Sequence, residues 1–472
     1  MKLVKSLLLG SATAFVAAAG AQAADLPSRK AAPASYVKVC DAYGAGFFYI
    51  PGTDTCIKIG GRVRADYSFS AGQDVYSSGS LNGTTGVRTN VLSTSNKAQN
   101  LYGWEARGRV DLDARTPTAW GTVQTVLALR LARTTGVLES SGPNLSGNGA
   151  GATLEAAYIR FAGFTFGAAR DNFSFMPSTF YGAGHWSSFA NGAKQLAYTA
   201  VLGGGISLTV AVQDASDTTA GGVSAASALF AAPTGVSYSY NNLPQINGRI
   251  DLEQGWGSAS VMGAVGKAVG VNALATYDTD KTIWAVGAGL KVNLPMLAAG
   301  DVLWLNAAYA NGMTEYTTNW TSFKSSDTRR NVGGFVINHP SWINTTNAAG
   351  GASIETLKSW NLAAVFSHFW TPSIRHSFLG SYGQIDGTTS SKLATYGTTG
   401  AFGDAKVWNV GTQLAWLPVR NFEIGVEVLY ARVEQDVRRT VTAPGAFAAG
   451  ATAVTKEKTG NWTGRMRVER TF

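Results

Sequence analysis

The chain is poor in charged residues, in proline and in cysteine, and it contains no hydrophobic run long enough for a membrane helix. Charged residues make up 14% of its 472 positions, with 13 Pro and 2 Cys. Soluble domains average about 25% charged residues, and a membrane helix takes about 20 consecutive apolar residues. The two shortages together argue against an ordinary soluble domain and against a bundle of membrane helices.

A run of basic residues is also absent, although Lys and Arg outnumber the acids by 38 to 29 and the formal net charge is +9. The arginines are dispersed within strand-like segments, which does not fit a nucleic-acid surface. The cysteines are not spaced as CxxC, and the histidines lie far from them in the sequence: His185, His339, His368 and His376. The sequence therefore predicts no bound nucleic acid, metal or cofactor.

The N-terminus carries the features of an export signal. Lys2 and Lys5 precede an apolar run over 7–19, and small residues at 21–23 fit a cleavage site. We expect a signal peptide at 1–23, a periplasmic leader at 24–56 and the main domain at 57–472. In the oxidising compartment that follows export, Cys40 and Cys56 are expected to form a disulfide in the leader.

Strict alternation of apolar and polar residues dominates the main domain. From position 57 one face carries Ile57, Ile59, Val63, Ala65, Tyr67 and Phe69, and the other carries Lys58, Arg62, Arg64, Asp66 and Ser68. This period of two is that of a strand, and the pattern recurs near 102–113, 206–213, 284–293, 422–430 and 462–472. A barrel whose strands meet lipid at every second residue explains both the low charge and the moderate hydropathy.

Short and long connectors alternate along the chain, which fixes a strand count. Seven short turns are predicted at 115–118, 162–163, 203–204, 254–255, 294–300, 369–372 and 417–421. Eight long loops are predicted at 71–101, 132–152, 171–194, 214–245, 266–281, 312–355, 385–405 and 436–458. The apolar stretch 269–277 is assigned to the fifth loop, because an extra strand would make the total odd. The sequence thus predicts an all-β fold, a closed antiparallel barrel of sixteen transmembrane strands.

Several segments resemble the general porins of alphaproteobacterial outer membranes. They include SYVKVCDAYGAGFFYIPGTDTCIKIGGRVRADYSF, TPTAWGTVQT, AYIRFAGFTFG, LPQINGRIDLEQGWGSASVMGAV and FWTPSIRHS. The resemblance implies a homotrimeric outer-membrane porin, surrounded by lipid and lipopolysaccharide, that passes small hydrophilic solutes and ions by passive diffusion. It also implies that the third long loop folds into the pore.

The candidate pore-lining residues are mostly arginines on inward faces: Arg62, Arg64, Arg107, Arg109, Arg130 and Arg160, with Asp171 as the only acid of the third loop. One interpretation is a basic wall, which with a single loop carboxylate predicts a mild anion preference that fades as salt rises. The other is an ordinary lumen of paired charges, because the same faces carry Asp66, Glu105, Asp111 and Asp113.

Two other functions compete with a general porin. The aromatic-rich third loop suggests a carbohydrate-specific porin with a sugar track. An outer-membrane hydrolase would need a nucleophile, a histidine and an orienting acid, but His368 and His376 fall on outward faces of their strands. We therefore expect a protein that is not an enzyme.

Overall fold

A computed structural model gives the structure of the protein. It describes residues 38–70, 102–136, 149–177, 179–181, 192–214, 243–272, 278–317, 353–388, 404–440 and 452–472, with short pieces at 75–76, 92–93, 223–225, 236–239 and 341–344. The predicted signal peptide, 1–23, lies outside the described residues, as does the first part of the leader. No helix among the described residues is long and apolar enough to cross a membrane.

The chain divides into two compact units, Met1–Cys56 and Ile57–Phe472. In the first unit, Cys40 and Cys56 form a disulfide with their Cα atoms 6.1 Å apart. Both cysteines are buried together with Phe47 in a small apolar cluster. The predicted pairing of the cysteines is confirmed.

The second unit is a closed antiparallel barrel of sixteen strands. In chain order they are β1 (Cys56–Ser70), β2 (Tyr102–Thr118), β3 (Gly121–Thr134), β4 (Gly149–Phe161), β5 (Phe164–Ala169), β6 (Ala193–Gly203), β7 (Ile206–Gln213), β8 (Gln245–Gln254), β9 (Gly257–Asn272), β10 (Asp278–Asn293), β11 (Val302–Asn311), β12 (Lys358–Thr371), β13 (Ile374–Asp386), β14 (Ala405–Val419), β15 (Phe422–Thr440) and β16 (Thr452–Thr471). Each strand pairs with the next, and β16 pairs with β1. The predicted fold is confirmed.

Alternation places the side chains as the sequence predicts. On β1, Val63 and Phe69 are 59% and 44% exposed on the outside, whereas Asp66 and Ser68 are 1% exposed on the inside. Aromatic rings collect at one end of the outer face, where Tyr67 lies 4.6 Å from Trp104 between ring centroids. Such rings are typical of the membrane–water interface.

The connectors differ from the prediction in detail. The ladder between β9 and β10 continues to the pair Val271–Asp278. The predicted loop at 269–277 is wrong for its first four residues, because cross-strand pairing carries β9 on to Asn272. The first short turn lies at 119–120 rather than 115–118, since Thr118 still pairs with Gly121.

Breaking the disulfide should loosen the first unit and leave the barrel intact. A loop of about 15 residues gains on the order of 3 kcal/mol from such a bond by chain-entropy arguments, and the bond lies in the unit Met1–Cys56. In a Cys40→Ser, Cys56→Ser variant we expect faster proteolysis within 38–56. Heat-resistant migration in detergent gels should be unchanged, and loss of the folded barrel band would contradict this expectation.

Candidate functional site in the barrel lumen

The inner wall of β9 to β11 is apolar, unlike the polar lumen that alternation alone predicts. Its inward side chains form a buried cluster that includes Met262, Ala264, Ala268, Ile283, Ala285, Ala308 and Ala310. These strands are apolar on both faces, which is a pattern of strands covered on both sides. Something inside the barrel must therefore cover this wall.

The third loop, between β5 and β6, covers it. Phe173 and Phe175 are 1% and 6% exposed and belong to the same buried cluster. The ring of Phe175 lies 5.4 Å from that of Trp304 on β11. The expectation that this loop folds into the pore is confirmed. Burial of each phenylalanine ring stabilises the loop in this position by about 1.5–3 kcal/mol.

Two glycines of β10 make room for these rings. A Cβ atom at Gly289 would lie 2.2 Å from the ring of Phe175, and one at Gly287 would lie 2.9 Å from the ring of Phe173. Atoms this close cannot coexist, so only glycine lets the loop lie flat on the wall. The sequence alone gave no reason to connect these glycines with the loop.

The loop after β11 also enters the lumen, which the sequence analysis missed. Met313 and Tyr316 are 1% exposed, and the ring of Tyr316 lies 4.5 Å from that of Phe173. The Tyr316 hydroxyl donates a hydrogen bond to Gln245 Oε1 at 3.1 Å. The described parts of these two loops thus form one inner layer.

Asp171 does not lie open to the lumen as expected. Its carboxylate is 3% exposed and accepts hydrogen bonds from the backbone N–H groups of Phe173 and Ser174 and from the Ser174 hydroxyl. Burial raises the pKa of Asp171 above its usual range. The side chain shapes the start of the loop, because short acidic side chains readily bond to nearby backbone.

The described residues of the loop beyond Phe175 follow the wall towards β16. Met176 and Phe180 pack with Val365, Leu379 and other inward residues of β12 to β15. Gln413 Nε2 on β14 donates to the carbonyl oxygen of Thr179 at 2.7 Å. The described loop residues therefore contact the wall along much of its circumference.

Tyr181 is held by four groups from β15 and β16. Its backbone N–H donates to Glu427 Oε2 at 2.5 Å, and its hydroxyl donates to Glu423 Oε1 at 2.6 Å. Its carbonyl oxygen accepts from Arg465 Nη1 at 3.1 Å, and the Arg467 guanidinium lies 4.3 Å from its ring centroid. Burial and the neighbouring Glu423 raise the pKa of Tyr181, so the hydroxyl keeps its proton and donates.

The stretch of wall formed by β1 to β4 and β16 is rich in charged side chains. Arg107 lies 2.6 Å from Glu105, and Arg64 lies 3.7 Å from the same carboxylate. Arg109 bonds to Asp111 at 2.7 Å and to Glu155 at 2.9 Å. These arginines are brought together as neighbours, each beside an acid of its own or an adjacent strand.

Glu155 bridges two of the predicted arginines and was missed from the sequence. It lies 2.9 Å from Arg109 and 3.3 Å from Arg130. The register between β3 and β4 shifts at this point, from the pair Ala128–Ala156 to the pair Leu129–Leu154. A bulge of this kind breaks strict alternation and re-aims a side chain, which is why the pattern did not single out Glu155.

The last two predicted arginines lie further from acids. Arg62 approaches Glu469 at 3.9 Å. Arg160 pairs across the ladder with Gln124 near a short turn, and its guanidinium lies 4.8 Å from the ring of Tyr158.

A closed barrel with a charged inner wall and an inner loop defines a transmembrane channel. The sequence profile of the Porin_2 family, described as a porin subfamily, matches residues 25–464. The chain belongs to this family, whose place is the bacterial outer membrane.

Curated relatives agree with the family profile. The porin Omp2b of Brucella abortus (strain 2308) is 31% identical over 322 residues, which cover 66% of this chain and 75% of the relative. Omp2b of Brucella melitensis is similar at the same identity and coverage. Among solved structures, the outer-membrane channel DcaP of Acinetobacter baumannii superposes with a TM-score of 0.55 at 18% identity, covering 90% of this chain and 99% of that one.

Filling one glycine recess should displace the loop. In Gly289→Ala the new Cβ would lie 2.2 Å from the ring of Phe175, and relief of such overpacking costs about 1–3 kcal/mol. We expect a changed single-channel conductance in planar bilayers. The control is Gly248→Ala on the outward face of β8, whose Cβ would meet nothing within 4 Å. Equal conductance of the two variants would contradict the role of the recess.

Proposed function

We propose that this outer-membrane channel is a general porin for small hydrophilic solutes and ions, without enzymatic activity. The observation that supports this is the charged wall of β1 to β4, whose arginine side chains keep partial exposure to the lumen, 17% for Arg107, 23% for Arg109 and 28% for Arg130. Hydrated solutes are passed by such a polar wall and not by an apolar one.

We further propose that Arg62, Arg64, Arg107, Arg109, Arg130 and Arg160 line the solute path. The close ion pairs favour the interpretation of an ordinary lumen of paired charges over a bare basic wall. Pairing cancels most of the electric field, but in the part of the chain that the structure describes no acid pairs with Arg160, and Arg62 approaches Glu469 at 3.9 Å. The expected result is a mild anion preference that salt weakens, because fields of exposed charges decay over about 8–10 Å at moderate ionic strength.

A sugar-specific channel is less well supported. The aromatic rings of Phe173, Phe175, Phe180 and Tyr181 are at most 6% exposed and pack against the wall. A ring that stacks on a passing sugar has to present a free face to the lumen. The hydrolase alternative gains no support from His368, whose Nδ1 lies 2.6 Å from the buried carboxylate of Asp301 next to a periplasmic turn.

We propose that the protein is a homotrimer that packs through the outer face of β1 to β4. A groove there of about 570 Å³ is lined by small outward residues such as Ala106, Gly108 and Ala152. Small outward residues let two barrels approach closely, as small residues do between membrane helices. The rest of the outer surface is proposed to contact lipid and lipopolysaccharide.

Reversal potentials across a salt gradient test the proposed pore wall. Purified protein should conduct in planar bilayers with a mild anion preference at low salt. Replacing both Arg107 and Arg109 by Gln should shift the preference towards cations, and Glu155→Gln should shift it towards anions, because it leaves Arg109 and Arg130 with less compensation. A cation preference that the arginine replacements leave unchanged would show that this wall does not set selectivity.

A bulky residue in the groove should weaken the trimer. Gly108→Leu fills the groove of β1 to β4, whereas Gly380→Leu places the same side chain on β13; a Cβ at either glycine meets nothing within 4 Å of its own chain. On native electrophoresis after gentle extraction, we expect Gly108→Leu to release monomers and Gly380→Leu to remain trimeric. A monomeric parent protein would refute the trimer.

A further inference from the structure

Asp66 lies among three arginines of the barrel wall. Arg467 Nε and Nη2 bond to its two oxygens at 2.7 and 2.8 Å, in a forked geometry. Arg465 Nη1 lies 3.5 Å and Arg64 Nε 3.6 Å from Oδ2. The side chain of Asp66 has no exposed surface, and those of the three arginines are 4–9% exposed.

The same two arginines of β16 hold the third loop. Arg465 uses one Nη1 atom for both Asp66 and the carbonyl oxygen of Tyr181. Arg467 bonds to Asp66 with one edge while its guanidinium carbon lies over the Tyr181 ring, 4.3 Å from the centroid. Removing the carboxylate would break the forked bond that fixes one edge of Arg467 and the contact that Arg465 Nη1 shares with Tyr181. Arg465 Nε also donates to the Ser68 hydroxyl at 2.7 Å.

We propose that Asp66 is the positioning residue of the pore loop: it orients the two guanidiniums that hold Tyr181, and it neutralises positive charge that would otherwise act on the solute path. This goes beyond the proposed function by assigning loop position and ion preference to one carboxylate. It rests on that function, because it requires that the lumen conducts. Hydrogen-bonded ionic networks of this kind behave as a unit, so one deletion disturbs every member.

The first experiment compares Asp66→Asn with Asp111→Asn. Each variant removes one carboxylate from an arginine of the same wall, but Asp111 is 39% exposed and, among the described residues, pairs with Arg109. Both variants should move the reversal potential towards anions. Only Asp66→Asn should also add rapid current fluctuation in single channels and raise the size limit for sugars in liposome swelling. If the two variants match in fluctuation and size limit, Asp66 is an ordinary lumen charge and the proposal fails.

Arg465→Gln is a second variant, for which the expected shift of the reversal potential is opposite to that of Asp66→Asn. It tests the proposal even if Asp66→Asn does not assemble. Loss of this guanidinium removes the donor to the Tyr181 carbonyl oxygen, so fluctuation should rise as in Asp66→Asn. The reversal potential should move towards cations instead of anions. Unchanged fluctuation in Arg465→Gln would overturn the proposal.

A double-mutant cycle tests whether Asp66 and Tyr181 affect current fluctuation through the same contact or independently. Tyr181→Ala removes the ring and hydroxyl contacts of the loop. Combined with Asp66→Asn, it should give no more fluctuation than Tyr181→Ala alone, because both act on one contact. Additive effects would overturn the proposal. A parent protein that does not conduct would instead refute the proposed function, so the two failures are distinguishable.

Discussion

The pairing of the last strand with the first is the interaction on which the rest of the structure depends. In lipid, an open sheet edge would leave backbone N–H and C=O groups without partners, which only closure avoids. The seam runs from the pair Arg62–Thr471 to the pair Ser70–Thr463, and Gly61 and Phe472 exchange both backbone hydrogen bonds. Closure also brings Asp66 of β1 against the arginines of β16. The seam of the wall is therefore also a place where buried charges from both ends of the chain meet.

Closure divides the lumen into two kinds of wall. Strands β9 to β11 carry small apolar residues inside, because the third loop and Tyr316 cover them and exclude water. Strands β1 to β4 and β16 carry guanidiniums and carboxylates, because no described part of the inner layer covers most of them. The loop bridges the two kinds of wall, since its start is held by apolar burial around Phe175 and its described end by charged hydrogen bonds around Tyr181.

Period-two alternation predicted the inward and outward faces, and the alternation of short and long connectors predicted the strand count. The entry of the third loop into the pore was predicted from the family resemblance. Strand ends were off by a few residues, because pairing such as Val271–Asp278 continues beyond what residue type marks. The burial of Asp171 and the role of Glu155 could not be predicted from the sequence, for different reasons. The burial of Asp171 depends on distant strands, and Glu155 sits at a bulge where alternation fails. Long-range packing and register shifts leave no local pattern in the sequence.

The abundance of arginine on one wall is a poor guide to ion preference, and the structure explains why. Guanidiniums this close together repel one another unless carboxylates lie between them, so the folded barrel requires acids on the same wall. Glu105 forms ion pairs with Arg64 and Arg107. Glu155 forms ion pairs with Arg109 and Arg130. The net electric field in the lumen is then a small difference between the large contributions of the guanidiniums and of the carboxylates. A small difference is more sensitive to the position of single carboxylates than to the number of arginines. Selectivity in this barrel is consequently a property of register and closure, which decide where each acid falls.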